Sequence, residues 1–180
     1  AIASMGYGHP AAIGAWIEAD HRWTICLEGD GSIMINRQEL QTVLTNQLPI
    51  KIFLNNNQGY HSIRQTQTNL FGNHTKIGIG PESGDLSFPS YEKLAVAFGY
   101  PYYAAHSNAE MKMAVENTLK EEGAVFCEIF VSPEQFFEPK SATKRLPDGS
   151  LFSPPLEDLA PFLPEEELQG NMFIPCITKK

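Results

Sequence analysis

Four short apolar runs separated by stretches of helical character restrict the fold of this chain more than any other feature. Trp23-Thr24-Ile25-Cys26-Leu27, Ile50-Lys51-Ile52-Phe53-Leu54, Tyr102 to Ala105 and Ala124 to Val131 have the length and the β-branched and aromatic content of buried strands. Between them, Ser32 to Gln47 places Ile33, Leu40, Val43 and Leu44 at roughly helical spacing. Ser90 caps a second helix that ends at Gly99, and Asn108 is expected to cap a third with Met111, Ala114, Val115 and Leu119 as its apolar stripe and Gly123 as its stop. A further helix of small residues starts near Pro10, a favourable first-turn residue. Strands and helices that alternate over short links predict a mainly parallel sheet covered on both faces, a three-layer α/β/α architecture. The stretch Asn69 to Pro89 is rich in Gly, Pro, Asn and Ser and is expected to be a loop over the active site or a subunit interface. His74 and Asp85 within it are candidates for substrate-side contacts.

The first strand stops at Gly29-Asp30-Gly31-Ser32, and the second runs into Asn55-Asn56-Asn57-Gln58-Gly59-Tyr60. If both strands lie in one parallel sheet, their carboxyl ends put Asp30 and Asn57 side by side, where open α/β sheets bind ligands. A carboxylate, an amide oxygen and a nearby backbone carbonyl are hard donors that suit Mg²⁺ completed by phosphate oxygens and water. Ser32 as the cap of the following helix would leave backbone N–H groups facing whatever sits beside Asp30.

At these residues the chain resembles the thiamine diphosphate (ThDP) enzymes, whose cofactor signature is a Gly-Asp-Gly followed one helix and one strand later by paired asparagines. The resemblance implies the diphosphate-binding (PP) domain fold and assigns the metal to Asp30, Asn57 and the carbonyl of Gly59. It places Gly29, Gly31 and Ser32 against the diphosphate, with Tyr60 and His61 next to the metal. It extends upstream, where Met5-Gly6-Tyr7-Gly8-His9-Pro10-Ala11-Ala12-Ile13-Gly14-Ala15 is similar to a run in acetolactate-synthase-like enzymes. There Met5 matches the bulky residue that holds ThDP bent, the role that makes it the catalytic assignment, and Ala3 matches a position whose carbonyl bonds the aminopyrimidine. His9 stands where the family commonly has an apolar residue. Ile63 occupies the position of a glutamate in the pyruvate-decarboxylase branch, so that acid is missing. Arg64-Gln65-Thr66-Gln67 resembles the Arg-Gln-Trp-Gln-like run of the acetolactate-synthase branch, with Thr66 in place of the tryptophan that shapes the acceptor pocket.

What the resemblance implies is a ThDP- and Mg²⁺-dependent lyase or transferase that decarboxylates a pyruvate-like 2-oxo acid and passes the carbanion equivalent to an acceptor. The activating glutamate of the family belongs to a pyrimidine-binding domain or subunit that nothing here matches, so the chain alone is expected to be inactive and the enzyme to be a homodimer or homotetramer. An FAD site, possible in the full enzyme, would lie in a domain not readable here. The alternative is a noncatalytic cofactor-binding or regulatory subunit that keeps the cradle. An unrelated nucleotide-binding domain is disfavoured, because neither a Gly-x-Gly-x-x-Gly after a strand nor a Gly-x-x-x-x-Gly-Lys-Ser/Thr occurs.

Composition limits the other classes. A net charge of −8 argues against nucleic-acid binding through phosphate neutralisation. No apolar run is long enough to span a bilayer, and no signal peptide is visible. Cys26 and Cys127 sit in strand-like runs and Cys176 near the end, without disulfide or zinc spacing, which fits reduced thiols and a cytoplasmic location. The chain opens at Ala1 inside a glycine-punctuated loop, so residues 1–131 read as a ThDP diphosphate- and Mg-binding domain that lacks its start. From Ser132 to Lys180 prolines and acids without periodicity predict an extended tail, with one or two short helical turns, that packs on its own domain or on a neighbouring subunit.

Overall fold

The computed structural model describes residues 4–20, 23–72 and 76–174. Contacts divide the chain into two compact units, Ala1–Gln135 and Phe136–Lys180. The first is built on a four-stranded sheet of β1 (Thr24–Gly29), β2 (Ile50–Asn56), β3 (Tyr102–Ala105) and β4 (Val125–Phe130) in the spatial order β1-β2-β4-β3. Every pairing is parallel. This is the α/β fold expected from the alternation of strands and helices.

Helices α1 (Gly8–Glu18), α3 (Glu39–Thr45) and α5 (Tyr91–Phe98) cover one face. There Ala12, Leu40, Val43, Tyr91 and Ala95 pack with Cys26, Ile50, Ile52, Leu54 and Phe126 of the sheet. On the other face α6 (Asn108–Lys120) lays Met111, Ala114, Val115 and Leu119 against Phe53, Ala105 and Cys127. The spacing of that stripe is what makes α6 a sheet-covering helix. On the edge strand β1, Cys26 and Glu28 are buried while Ile25 and Leu27 stay exposed.

Central β2 is buried through Leu54, and Lys51 is accommodated there because backbone carbonyls receive its ammonium. Nζ donates to the carbonyls of Glu121 and, at 2.6 Å, Gly123, which pins the turn before β4. Glu128 is paired rather than edge-exposed: it is buried in β4 between Asn56 Nδ2, which donates to Oε1 at 2.6 Å, and the Tyr102 hydroxyl, which donates to Oε2 at 2.5 Å.

Four local expectations are corrected. The helix predicted from Ser32 to Gln47 is two helices, α2 (Asp30–Ile33) and α3, separated by turns. Asn36 sits in that break, its amide donating to the Gly6 carbonyl at 2.6 Å and its Oδ1 accepting from Gln38; such side-chain bonds compete with helical ones. Ser32 therefore lies inside α2 and caps nothing; Gly29 is the N-cap. The loop expected from Asn69 begins later, since α4 runs from His61 to Phe71. The start and stop of α5 do follow their residues: Ser90 Oγ accepts from the Lys93 amide, and Gly99 takes φ +94°, whereas Asn108 is already the first residue of α6 and Ser107 is its N-cap.

The second unit contains short regular elements. β5 (Lys144–Arg145) and β6 (Leu151–Phe152) form an antiparallel pair, Lys140 bridges Ala160, and α7 spans Glu165–Asn171. Lys144 Nζ lies 2.6 Å from Asp158 Oδ2 and 4.2 Å from the centre of the Phe162 ring. No helix among the described residues is long and apolar enough to cross a membrane.

Candidate functional site

Because β1 and β2 are neighbours with Gly29 opposite Asn55, the residues that leave them emerge at one edge of the sheet. Asp30 follows β1 directly and is only 2% exposed. Its Oδ1 accepts from the Gly31 amide at 2.7 Å and its Oδ2 from the Gly59 amide at 2.8 Å, so one carboxylate ties the two strand ends together. The Tyr91 hydroxyl donates to the Asp30 carbonyl at 2.7 Å and fixes the backbone behind it. Burial raises the Asp30 carboxyl above its usual value, opposed by the facing amides of Gly31 and Gly59 and by the Arg64 guanidinium.

Asn57 stands just beyond β2. Its side-chain Oδ1 is buried and has no hydrogen-bond partner among the described residues. Leaving such an acceptor unmet costs about 1–3 kcal/mol, and a cation shared with the Asp30 carboxylate would satisfy it. No group of three His, Cys, Asp or Glu side chains that could hold a metal occurs among the described residues. The donor set is thus one carboxylate, one amide oxygen and backbone oxygen, which fits a small hard cation that takes its remaining ligands from phosphate and water.

The other expected residues fall around this pair. Gly31 lies under the Tyr60 ring, where an added Cβ would come within 2.4 Å of Cε1, and the same ring meets Phe88 edge-on at 5.8 Å. Gly29 has open space at its Cα. Ser32 Oγ accepts from the Gly6 amide at 2.9 Å, and with the Asn36 bond to the Gly6 carbonyl this draws the half-exposed Met5 turn to the cradle. The Gly31 amide and Ser32 Oγ are thus engaged within the chain. The Gly59 carbonyl accepts from the His61 amide at 3.1 Å, and His61 is buried at the start of α4. Asp85 is not brought to the site: its carboxylate accepts from the Gly78 amide and from Ser83 Oγ inside its own loop. Ala3, His74 and Cys176 lie outside the described residues.

Residues 1–129 match the family described as thiamine pyrophosphate enzyme, C-terminal TPP binding domain. This chain belongs to that family. The ThDP-binding domain is 33% identical over 137 residues to the acetolactate synthase large subunit of Porphyra purpurea, covering 74% of this chain and 22% of that protein. To acetolactate synthase isozyme 2 large subunit of Escherichia coli (strain K12) it is 31% identical over 159 residues, covering 88% of this chain and 27% of that protein. The chain therefore spans about a quarter of the length of these relatives. Among solved structures, a Rhodococcus jostii RHA1 thiamine diphosphate-dependent 4-hydroxybenzoylformate decarboxylase shares the fold with a TM-score of 0.61 at 23% identity, over 71% of this chain and 23% of that one.

In this acetolactate synthase-like domain three structurally prominent residues have no role in the sequence reading: Arg64, Glu82 and Tyr91. Arg64 and Tyr91 bond backbone carbonyls of the cradle, and Glu82 pairs with Arg64. Arg64 enters the sequence only as the first residue of the Arg-Gln-Thr-Gln run, Tyr91 only as an aromatic in the first turn of a capped helix, and Glu82 carries no signal there.

His9, the departure from the family's apolar residue, is 1% exposed in the first turn of α1. Burial holds its imidazole below the usual 6.5, against the pull of Glu39 and Glu28. The unfolded chain therefore takes up a proton near pH 6.5 that the folded one refuses, and stability falls as pH drops from there toward the lowered folded value. His9→Leu is expected to raise the melting temperature more at about pH 5.5 than at about pH 8, by removing that proton-linked loss. Equal shifts at both pH values would contradict this.

Proposed function

We propose that Asp30, Asn57 and the Gly59 carbonyl hold Mg²⁺ against the diphosphate of ThDP, and that the protein decarboxylates a pyruvate-like 2-oxo acid and transfers the carbanion equivalent to an acceptor. The observation that carries the reading is the buried, unpartnered Oδ1 of Asn57 at the edge where Asp30 also emerges. When bound, ThDP supplies the electron sink that makes loss of CO₂ from a 2-oxo acid possible.

The residues of the chain bind and orient. Asp30 brings the negative charge that selects a cation, and the Gly31 and Gly59 amides aim its two oxygens. The open Cα of Gly29 leaves room for a ligand to approach the backbone. Met5, drawn in through Gly6, is the residue on which the cofactor bends. Tyr60 and His61 border the diphosphate, His61 held by its amide bond to Gly59 and by Arg64 Nη1, 3.1 Å from its Nδ1. Ile63 is half-exposed on α4 and has no proton to exchange, which favours ligation over protonation of the carbanion equivalent. Thr66, whose hydroxyl donates to the Ser62 carbonyl at 2.9 Å, offers a smaller wall than tryptophan, so the acceptor extends to other aldehydes, ketones or a keto-sugar.

The activating glutamate comes from a pyrimidine-binding domain or subunit in a dimeric or tetrameric assembly. Calorimetric titration of the 180-residue chain with ThDP is expected to give weak binding in Mg²⁺ and none in excess chelator, and the chain is expected to form no acetolactate from pyruvate. Binding that ignores the chelator would overturn the metal assignment, and acetolactate formation would overturn the need for a second domain.

A further inference from the structure

We propose that Arg64 is a positioning residue that braces the metal-binding loop from behind and couples it to the segment 76–85. The proposal rests on the ThDP and Mg²⁺ reading of the cradle. Arg64 lies one turn into α4 and is 7% exposed. Its guanidinium spends its N–H groups on four partners: Nη2 donates to the Gln58 carbonyl at 2.9 Å, Nη1 to the Asn57 carbonyl at 3.3 Å, and Nε to Glu82 Oε1 at 2.5 Å, while Nη1 also lies 3.1 Å from His61 Nδ1.

Two consecutive carbonyls held by one planar fork fix the peptide planes on both sides of Gln58. Those planes set where the Asn57 side chain emerges and where the Gly59 amide points, which is at Asp30 Oδ2. The loop is thus gripped between a carboxylate on one side and a guanidinium on the other, and only the carboxylate faces the cation. A lysine would offer a single point of attachment and could not hold both carbonyls in one plane.

Glu82 carries the brace outward. Its second oxygen receives Lys76 Nζ at 3.0 Å, and the segment around it docks on the cradle loop through the Ile79 carbonyl, which accepts from the Tyr60 amide at 2.7 Å. Gly80 presses on the Gln58 carbonyl so closely that an added Cβ would stand 2.2 Å from it. The segment expected to be a loop over the active site or an interface therefore backs the metal loop directly, and Arg64–Glu82 is the side-chain link between them.

The test compares wild type with Arg64→Lys and Glu82→Gln in the full chain. It uses calorimetric ThDP affinity in Mg²⁺, melting temperature without ligand, and amide hydrogen exchange at residues 57–60 and 50–54. Outer partners of metal ligands typically shift affinity about 10- to 100-fold. Arg64→Lys is expected to weaken binding by about tenfold or more while speeding exchange at 57–60 and leaving the β2 core at 50–54 protected. Glu82→Gln is expected to act in the same direction with a smaller loss. Unchanged affinity and unchanged exchange at 57–60 in either variant would overturn the brace, as would exchange that rises equally at 50–54, the mark of a merely structural role. If Arg64→Lys does not fold, Glu82→Gln decides by the same two readouts. A wild type that binds no ThDP refutes the cofactor reading instead, and the ligand-free exchange at 57–60 still decides whether Arg64 braces the loop.

Discussion

Asp30→Ala is expected to lower the Mg²⁺-dependent affinity for ThDP on the order of 100-fold or more, the largest single effect available in this domain. The change removes the one charge in the proposed donor set, which is otherwise an amide oxygen and a backbone carbonyl, and divalent cation affinity follows ligand charge. The fold should respond far less. Two opposed effects meet there: burial already penalises the ionised carboxyl, so its loss relieves the metal-free chain, while the Gly31 and Gly59 amides lose their acceptor at about 1–3 kcal/mol each where water cannot replace it. Calorimetry beside a melting curve separates binding from folding, and surviving heat of binding would remove Asp30 from the site. The pH dependence has a definite sign. Since burial raises the folded Asp30 value above the unfolded one, the metal-free chain holds that proton more tightly when folded. The stability this proton confers is lost as pH rises through the raised value. Metal must displace the same proton, so wild-type affinity for Mg²⁺ should weaken as pH falls through that range and level off above it.

The sheet and the placing of Asp30 and Asn57 were legible because each rests on short-range chemistry. Apolar runs of strand length ended by Gly-Asp-Gly and by asparagines leave few topologies, and adjacent parallel strands bring their carboxyl ends together without further information. What stayed hidden depends on partners remote in sequence. Asn36 breaks a helix of good apolar spacing because Gly6, thirty residues away, offers it a carbonyl. Lys51 looks misplaced in a central strand until the carbonyls of Glu121 and Gly123 receive its ammonium. Glu128 could be read as exposed or paired until Asn56 and Tyr102 meet it across the sheet. Arg64 belongs to the same class: nothing in its neighbours announces that its guanidinium turns back to the loop it has just left. The resemblance places Gly29 against the diphosphate and the Gly59 carbonyl at the metal, and it does not reveal that the two glycines differ in kind: the Cα of Gly29 is open, whereas at Gly59 the space is already taken by the chain itself.

Gly59→Ala is therefore expected to destabilise the metal-free domain by roughly 3–5 kcal/mol and to lower its melting temperature by about 10 °C or more, before any question of cofactor arises. The residue has φ +137°, a conformation that an L side chain rarely adopts. An added Cβ would stand 1.8 Å from the Ile79 carbonyl oxygen, 2.9 Å from its carbon and 3.0 Å from the Gly80 Cα. All three are backbone atoms, so no rotamer change relieves the clash; either the 57–60 loop or the segment behind it must move. That carbonyl oxygen is also the acceptor of the Tyr60 amide, and the Gly59 amide is the donor to Asp30 Oδ2. Any shift that makes room for a methyl therefore loosens these bonds and the Arg64 grip on Asn57 and Gln58. Gly29→Ala provides the internal comparison, since its backbone is extended and no atom lies within 4 Å of the new Cβ. It should leave the melting temperature nearly unchanged and act, if at all, on ThDP binding alone. Equal thermal losses in the two variants would mean that the close approach at Ile79 is not what holds the 57–60 loop in place.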